Sequence, residues 1–144
     1  MAHAEFQVTI NRSVKDVFNF VLDGDNNPKW RPVCVSIQRL TNQPDAVGTI
    51  FKQISQSPAG RIDCDYEITE CVPNKSIQFK VIAGPARPTG TYKLVSAGNA
   101  TTITFALNLE TNGLQKLVDG IIQKYMQTEV AYLINLKNIL ETRA

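Results

Sequence analysis

Residues 101–140 read TTITFALNLETNGLQKLVDGIIQKYMQTEVAYLINLKNIL. The first ten alternate strictly. Ile103, Phe105, Leu107 and Leu109 fall on one side of an extended chain, and Thr102, Thr104, Ala106 and Asn108 on the other. That period of two marks a strand with one buried face. Asn112 then stands where a helix N-cap belongs, with Gln115 three residues on, the spacing of a capping box. An apolar stripe at helical spacing follows through Leu114, Leu117, Val118, Ile121, Ile122, Tyr125, Met126, Tyr132, Leu133, Leu136 and Leu140. From Gly113 to Thr142 one helix would run about 45 Å. No other helical stretch in the chain is long enough to cover it, so its stripe must lie against a sheet.

The residues before position 101 supply that sheet. Phe6, Val8 and Ile10 alternate with polar residues and predict a strand. Ser13 and Asp16 flank a helix start, and Val14, Val17, Phe18 and Val21 share one face of the helix. Asp23-Gly24-Asp25-Asn26-Asn27-Pro28 ends it, and a second short helix or turn holds Lys29 and Trp30. Strands are then expected over 33–40, 48–57, 61–72, 76–83, 90–96 and 101–110, with turns at Pro58-Ala59-Gly60, Pro73-Asn74 and Ala97-Gly98-Asn99. The order is one strand, two short helices, six strands and one long C-terminal helix. This is an α+β architecture whose seven strands, joined mostly by hairpins, form an antiparallel sheet. No repeat, low-complexity segment or linker divides the chain, so residues 1–144 are read as one domain.

Composition narrows the function classes. At 144 residues the chain has room for a core that buries about 68–70% of its unfolded surface. Fifteen Lys+Arg against 13 Asp+Glu leave a charge of +2, too small and too scattered to predict a nucleic-acid or anionic-membrane face. The opening MAHAEFQVTI shows no apolar run behind a basic stretch, so a cytoplasmic protein is expected. No stretch is apolar enough for a membrane span. Cys34, Cys64 and Cys71 are an odd number and read as apolar fillers.

Candidate chemistry is sparse. His3, the single histidine, falls at an expected frayed terminus and cannot anchor a triad. No zinc spacing is present and no metal is expected. The Asp23–Asn27 run lacks the Gly and Glu of a calcium loop, whose places hold Pro28 and Cys34. Asp63, Asp65 and Glu67 share the solvent face of a half-buried strand. A turn at Ala59-Gly60 would set Lys52 opposite Glu67 as an exposed ion pair, and would turn Phe51, Gln53 and Ser55 inward beside Ile68, Tyr66 and Cys64. Nucleotide and serine-hydrolase motifs are missing. Glu129 stands out because helical spacing puts it on or beside the apolar stripe. A carboxyl in an apolar setting has a raised pKa and suits acid/base work; a flank position, bonding outward to Lys or solvent, is the plainer alternative. Gly120 could allow a bend or a close approach to the sheet, or equally be a tolerated surface glycine; Arg87, in a loop, could meet an anionic group, though a solvated loop arginine is the plainer reading.

The run Ile10-Asn11-Arg12-Ser13-Val14-Lys15-Asp16-Val17-Phe18-Asn19-Phe20-Val21, with Asp23, Trp30 and Val47-Gly48-Thr49 after it, resembles the START-like (SRPBCC, polyketide cyclase/dehydrase-type) superfamily. The likeness spans nearly the whole chain through the order and spacing of these motifs. It implies a helix-grip fold, in which a seven-stranded sheet wraps the C-terminal helix around a cavity. It also implies a hydrophobic or amphipathic small-molecule ligand such as a lipid or polyketide, without a shared catalytic motif. No cofactor is expected.

The inward strand faces and the helix stripe then nominate Phe51, Gln53, Tyr66, Phe79, Tyr92, Phe105, Ile121, Tyr125 and Glu129 as pocket lining, with Trp30 near the mouth or plugging the core. Binding or transport is the leading expectation, for a monomer or homodimer. A cyclase or dehydratase using Glu129 with Tyr66 or Tyr125 is the alternative, which requires an inward Glu129 within hydrogen-bond reach of a tyrosine. A co-chaperone-like interaction module is the third, which a large exposed apolar patch would favour.

Overall fold

A computed structural model describes residues 2–58, 60–111 and 119–142. The strands are β1 (Ala2–Ile10), β2 (Cys34–Arg39), β3 (Ile50–Ser57), β4 (Gly60–Asp63), β5 (Tyr66–Val72), β6 (Ser76–Val81), β7 (Thr89–Ala97) and β8 (Ala100–Leu109). Between β1 and β2 lie α1 (Val14–Leu22), a 3-10 turn (Gly24–Asn26) and the short α2 (Asn27–Trp30). Helices α3 (Asp119–Val130) and α4 (Leu133–Thr142) close the described chain. The strands form one antiparallel sheet in the order β1-β8-β7-β6-β5-β3-β2, with β4 pairing only β3. This is the expected helix-grip arrangement. The N-cap and capping-box residues Asn112 and Gln115, and the stripe residues Leu114, Leu117 and Val118, lie outside the described residues.

Strand β8 follows its alternation along its whole length: Ile103, Phe105, Leu107 and Leu109 are buried. Its neighbours on both sides are set by register. Phe6 pairs with Phe105 on β1, and Tyr92 pairs with Phe105 on β7. Ser13 caps α1 by accepting the Asp16 N–H at 3.2 Å, which orients Val17, Phe18, Phe20 and Val21 to the core.

Four expectations are corrected. First, the strand expected over 61–72 is two strands, β4 and β5, making eight strands rather than seven. The ladder is interrupted because the Gln53 N–H donates to the Asp65 side chain at 3.1 Å, while Gln53 O accepts the Cys64 N–H. A side-chain acceptor thus replaces the backbone partner that a continuous strand requires. Second, the register is shifted by two residues: Phe51, not Gln53, pairs with Tyr66, and Ile50, not Lys52, with Glu67. A two-residue shift preserves faces, so Phe51, Gln53 and Ser55 still point inward. The Lys52/Glu67 pair is not formed, and Glu67 faces Lys80 on β6.

Third, the C-terminal helix, expected as one unbroken element, breaks at Ala131–Tyr132; Gly120 is exposed, and a Cβ there would meet nothing within 4 Å. The Tyr132 N–H bonds to Glu129 O at 3.2 Å, and the Ile134 N–H to Ala131 O. These i−3 bonds are tightened 3-10 turns, which interrupt the i−4 ladder between α3 and α4. Fourth, His3 is not frayed: it sits within β1 opposite Asn108.

Candidate ligand-binding cavity

Because the sheet curls around the C-terminal helices, a gap remains between its concave face and α3. The gap is a cavity of about 310 Å³. Its walls come from α1 (Val21, Leu22), the inner face of the sheet (Ile68, Ile77, Val81, Leu107) and α3 (Ile122, Met126), so most of the lining is aliphatic.

Seven of the ten nominated residues line this cavity: Gln53, Tyr66, Phe79, Tyr92, Ile121, Tyr125 and Glu129. Ile121 does so only from the rim, since it is 66% exposed. Helix α3 is rotated so that Met126, Glu129 and Val130 take the buried positions.

The other three stand behind the wall. Trp30 is not at a mouth. It is 1% exposed and meets Tyr92 and Phe105 edge-on at 6.4 and 6.3 Å. The Asn135 side chain pins its backbone by donating to Trp30 O at 3.1 Å, so α2 directs the indole into the core. Phe51 stacks on Tyr66 at 5.1 Å and is screened from the cavity by it. Phe105 stacks under Tyr92 at 4.4 Å in the same way. These rings form a second layer that holds the lining tyrosines in place.

Two glycines make that aromatic layer possible. A Cβ on Gly24 would fall 2.3 Å from the Tyr66 hydroxyl and 2.7 Å from the Phe51 ring, so only glycine lets the 3-10 turn close over them. A Cβ on Gly90 would fall 2.1 Å from the ring of Phe79, its cross-strand partner. The ring therefore lies over the bare backbone.

The cavity's polar side chains Asn27, Arg31, Gln53, Tyr66 and Glu129 form one cluster beneath α2, while the Tyr125 hydroxyl donates instead to Gln56 O at 3.5 Å. Asn27, 5% exposed, donates through Nδ2 to Gln53 Oε1 at 3.0 Å and to the Tyr66 hydroxyl at 2.9 Å. Arg31 follows α2 directly. Its Nε donates to Glu129 Oε1 at 2.6 Å, its Nη2 donates to the same oxygen, and its Nη1 approaches Gln53 Oε1 at 3.4 Å. Both charged side chains are largely buried, Arg31 at 11% and Glu129 at 6% exposure. Burial alone would lower the guanidinium's pKa. The adjacent Glu129 carboxylate outweighs it, so Arg31 is held above its ordinary value. Burial raises the pKa of the Tyr66, Tyr92 and Tyr125 phenols, and all three are neutral O–H groups near pH 7.

Glu129 therefore faces inward, and the outward flank position does not hold. Its partner is Arg31, though, and no tyrosine hydroxyl among the described residues bonds it. Arg31 and Asn27 were absent from the nominated set. The one signal for Arg31 was indirect: an acidic residue on an apolar stripe needs a buried cation, and Arg31 adjoins the core tryptophan. Among the described residues, Arg87 donates to its own loop, at Gly84 O. Among the described residues no cluster of His, Cys, Asp and Glu has the makings of a metal site, and no helix is long and apolar enough to cross a membrane.

A family model described as "Polyketide cyclase / dehydrase and lipid transport" matches residues 1–140. The chain belongs to this polyketide cyclase/dehydrase and lipid transport family. Solved structures agree in fold. A crystal structure of a protein from Thermus thermophilus superposes with TM-score 0.82 at 17% identity, covering 94% of each chain. A START superfamily protein from Mycobacterium smegmatis gives TM-score 0.78 at 13% identity, covering 97% of this chain and 99% of that one. The Zhui aromatase/cyclase from Streptomyces sp. R1128 gives 0.67 at 14% identity, covering 94% and 88%. At these identities the likeness concerns the fold. No curated protein matches the chain at a significant level. Within this polyketide cyclase/dehydrase and lipid transport family, the feature to explain in this chain is the pairing of Arg31 with Glu129 inside its cavity.

Proposed function

We propose that the protein binds and carries a hydrophobic or amphipathic small molecule between its sheet and α3. The observation that carries this reading is a largely apolar cavity with one cluster of buried polar groups, Asn27, Arg31, Gln53, Tyr66 and Glu129. Such a distribution suits a ligand with an apolar body and a polar end. The family description, which includes lipid transport, supports the same reading. The volume of about 310 Å³ lies at the lower end of small-molecule sites. It favours a single-chain or few-ring occupant over a two-chain lipid.

Native mass spectrometry of gently purified protein tests this. The expected result is a bound small molecule that organic solvent releases, together with uptake of a neutral apolar dye. A crystal structure with the space filled by side chains, and no ligand or dye bound, would sink the reading.

A second reading, a cyclase or dehydratase, is favoured by one observation: Glu129 faces the cavity, and its Oε2 accepts no hydrogen bond from the described residues. Its commitment to Arg31 makes Glu129 a weaker acid/base candidate than a carboxyl in a purely apolar setting. Turnover of a polyketide-like substrate, lost in Glu129→Gln, would establish it. Among the described residues, the exposed large apolar side chains Val35, Leu40, Val47, Val72, Val95, Ile121 and Ile134 are spread over several strands and loops and both C-terminal helices, which gives the interaction-module reading little support.

A further inference from the structure

We infer that the occupant of this cavity is uncharged at its polar end, an alcohol, ketone or ester oxygen rather than a carboxylate or phosphate. The inference rests on the ligand-binding reading above and adds the ligand's chemical class.

Charge balance is the first argument. Among the described residues, Arg31 and Glu129 are the only charged ones that line the cavity, and they neutralise each other at hydrogen-bond distance. The guanidinium fork is already engaged, through Nε and Nη2 on Glu129 and through Nη1 toward Gln53. An anionic head group would bring a second negative charge beside Glu129, with no free cation among the described lining residues to receive it. A buried charge without a partner is strongly disfavoured. A cationic head group would meet the same difficulty beside Arg31.

Hydrogen-bonding capacity is the second argument. The Tyr66 hydroxyl accepts from Asn27 and keeps its own proton to donate. The Tyr92 hydroxyl has no hydrogen-bond partner among the described residues. Ser55 Oγ, buried at 2% exposure, has no nitrogen or oxygen partner among the described residues, and its hydroxyl faces the Cys64 sulfur as a weak acceptor. Glu129 Oε2 is an unused acceptor. Unused donors and one unused acceptor within a neutral site match a neutral oxygen. A carbonyl takes the phenol protons, and a hydroxyl can also donate to Glu129. Because burial raises the pKa of both phenols, their protons stay available near neutral pH.

The test is displacement of the neutral dye Nile red by decanol, methyl decanoate and decanoate at neutral pH. Wild-type protein should release dye to decanol and methyl decanoate at concentrations about tenfold or more below decanoate. An apolar cavity of any kind shows some such preference, so the deciding measurement is its change in variants. In Glu129→Gln the Arg31 charge is freed, and the decanoate-to-decanol ratio should move about tenfold or more toward decanoate. In the double variant Arg31→Gln/Glu129→Gln the site is neutral again, and the ratio should stay at the wild-type value. Decanoate binding as tightly as decanol to wild type overturns the inference, even if neither variant folds. An unchanged ratio in a folded Glu129→Gln overturns it as well. If the dye does not enter, or no probe displaces it, the ligand-binding reading itself fails, and that result is distinct from either of these.

Discussion

Arg31 donates through both Nε and Nη2 to one carboxylate oxygen of Glu129, so the turn after α2 is tied to the middle of the C-terminal helical segment across the cavity. The pair is nearly dry, and removing one member strands the other charge. Arg31→Ala or Glu129→Ala alone should therefore lose about 3–5 kcal/mol of stability. The neutral pair Arg31→Met/Glu129→Leu should lose much less than the sum of the two. Urea unfolding of all variants gives the coupling energy directly. Strict additivity would show that the two residues act independently.

Ser55 offers a way to close the cavity without breaking its walls. Its hydroxyl is buried and poorly partnered, so Ser55→Leu removes an unsatisfied polar group while extending an aliphatic side chain into open space. Stability should hold or rise by about 1 kcal/mol. Dye or ligand binding should weaken by about tenfold or more. Parallel thermal denaturation and fluorescence titration check both halves. Undiminished binding with intact folding would move the ligand away from this cavity.

Local alternation and helical spacing carried the reading wherever a residue's environment follows from its near neighbours. β8 is legible from Ile103 to Leu109, and so are the inward Gln53 and Tyr66, because a period of two fixes faces; helical spacing puts Glu129 only on or beside the stripe and leaves an outward flank position open. A two-residue register difference left those faces intact, since the pleat repeats every second residue. Contacts that join distant segments were not legible. Arg31 and Glu129 lie 98 residues apart, and no spacing rule links them. Trp30 could be a mouth or a core residue until the pitch of α2 was known, and that pitch depends on Asn135 from α4. The split between β4 and β5 turns on one side chain, Asp65, capturing the Gln53 N–H. The break at Ala131–Tyr132 has neither Pro nor Gly to announce it.

Gly90 gives a packing prediction. The Phe79 ring occupies the space that a Cβ would need, within 2.1 Å, and this ring also touches Tyr66, Tyr92 and Phe105. Gly90→Ala should force the ring aside and destabilise the fold by about 1–3 kcal/mol. It should also change the near-ultraviolet circular dichroism of the aromatic layer. Gly98, whose added Cβ would meet nothing within 4 Å, serves as the comparison. Gly98→Asn, a residue tolerant of the positive φ there, should leave that spectrum unchanged. Equal spectra for wild type and Gly90→Ala would remove the argument.

The buried tyrosines predict how stability responds to alkali. Tyr125 is pushed up to about 12, by burial first and then by the negative charge of Glu129. Tyr66 and Tyr92 are raised above the ordinary phenol value too, by burial foremost, although Arg31 pulls both the other way. In the unfolded chain these groups titrate near ~10. The folded state thus holds their protons more tightly. The stabilisation is complete below about pH 10 and is lost as pH rises through the folded values near 12 and above. Burial also raises Cys34 and Cys64, and they add a loss that begins lower, from about pH 8.5. Urea unfolding at a series of pH values should show stability falling through this window, by up to about 1.4 kcal/mol per pH unit for each proton released. Tyr92→Phe removes one titrating group, so its slope above pH ~10 should be shallower than wild type. Tyrosinate absorbance should appear in the folded protein only at higher pH than in urea. A wild-type and Tyr92→Phe pair with identical slopes would mean that the Tyr92 phenol is open to solvent, contrary to its place under Trp30 and over Phe105.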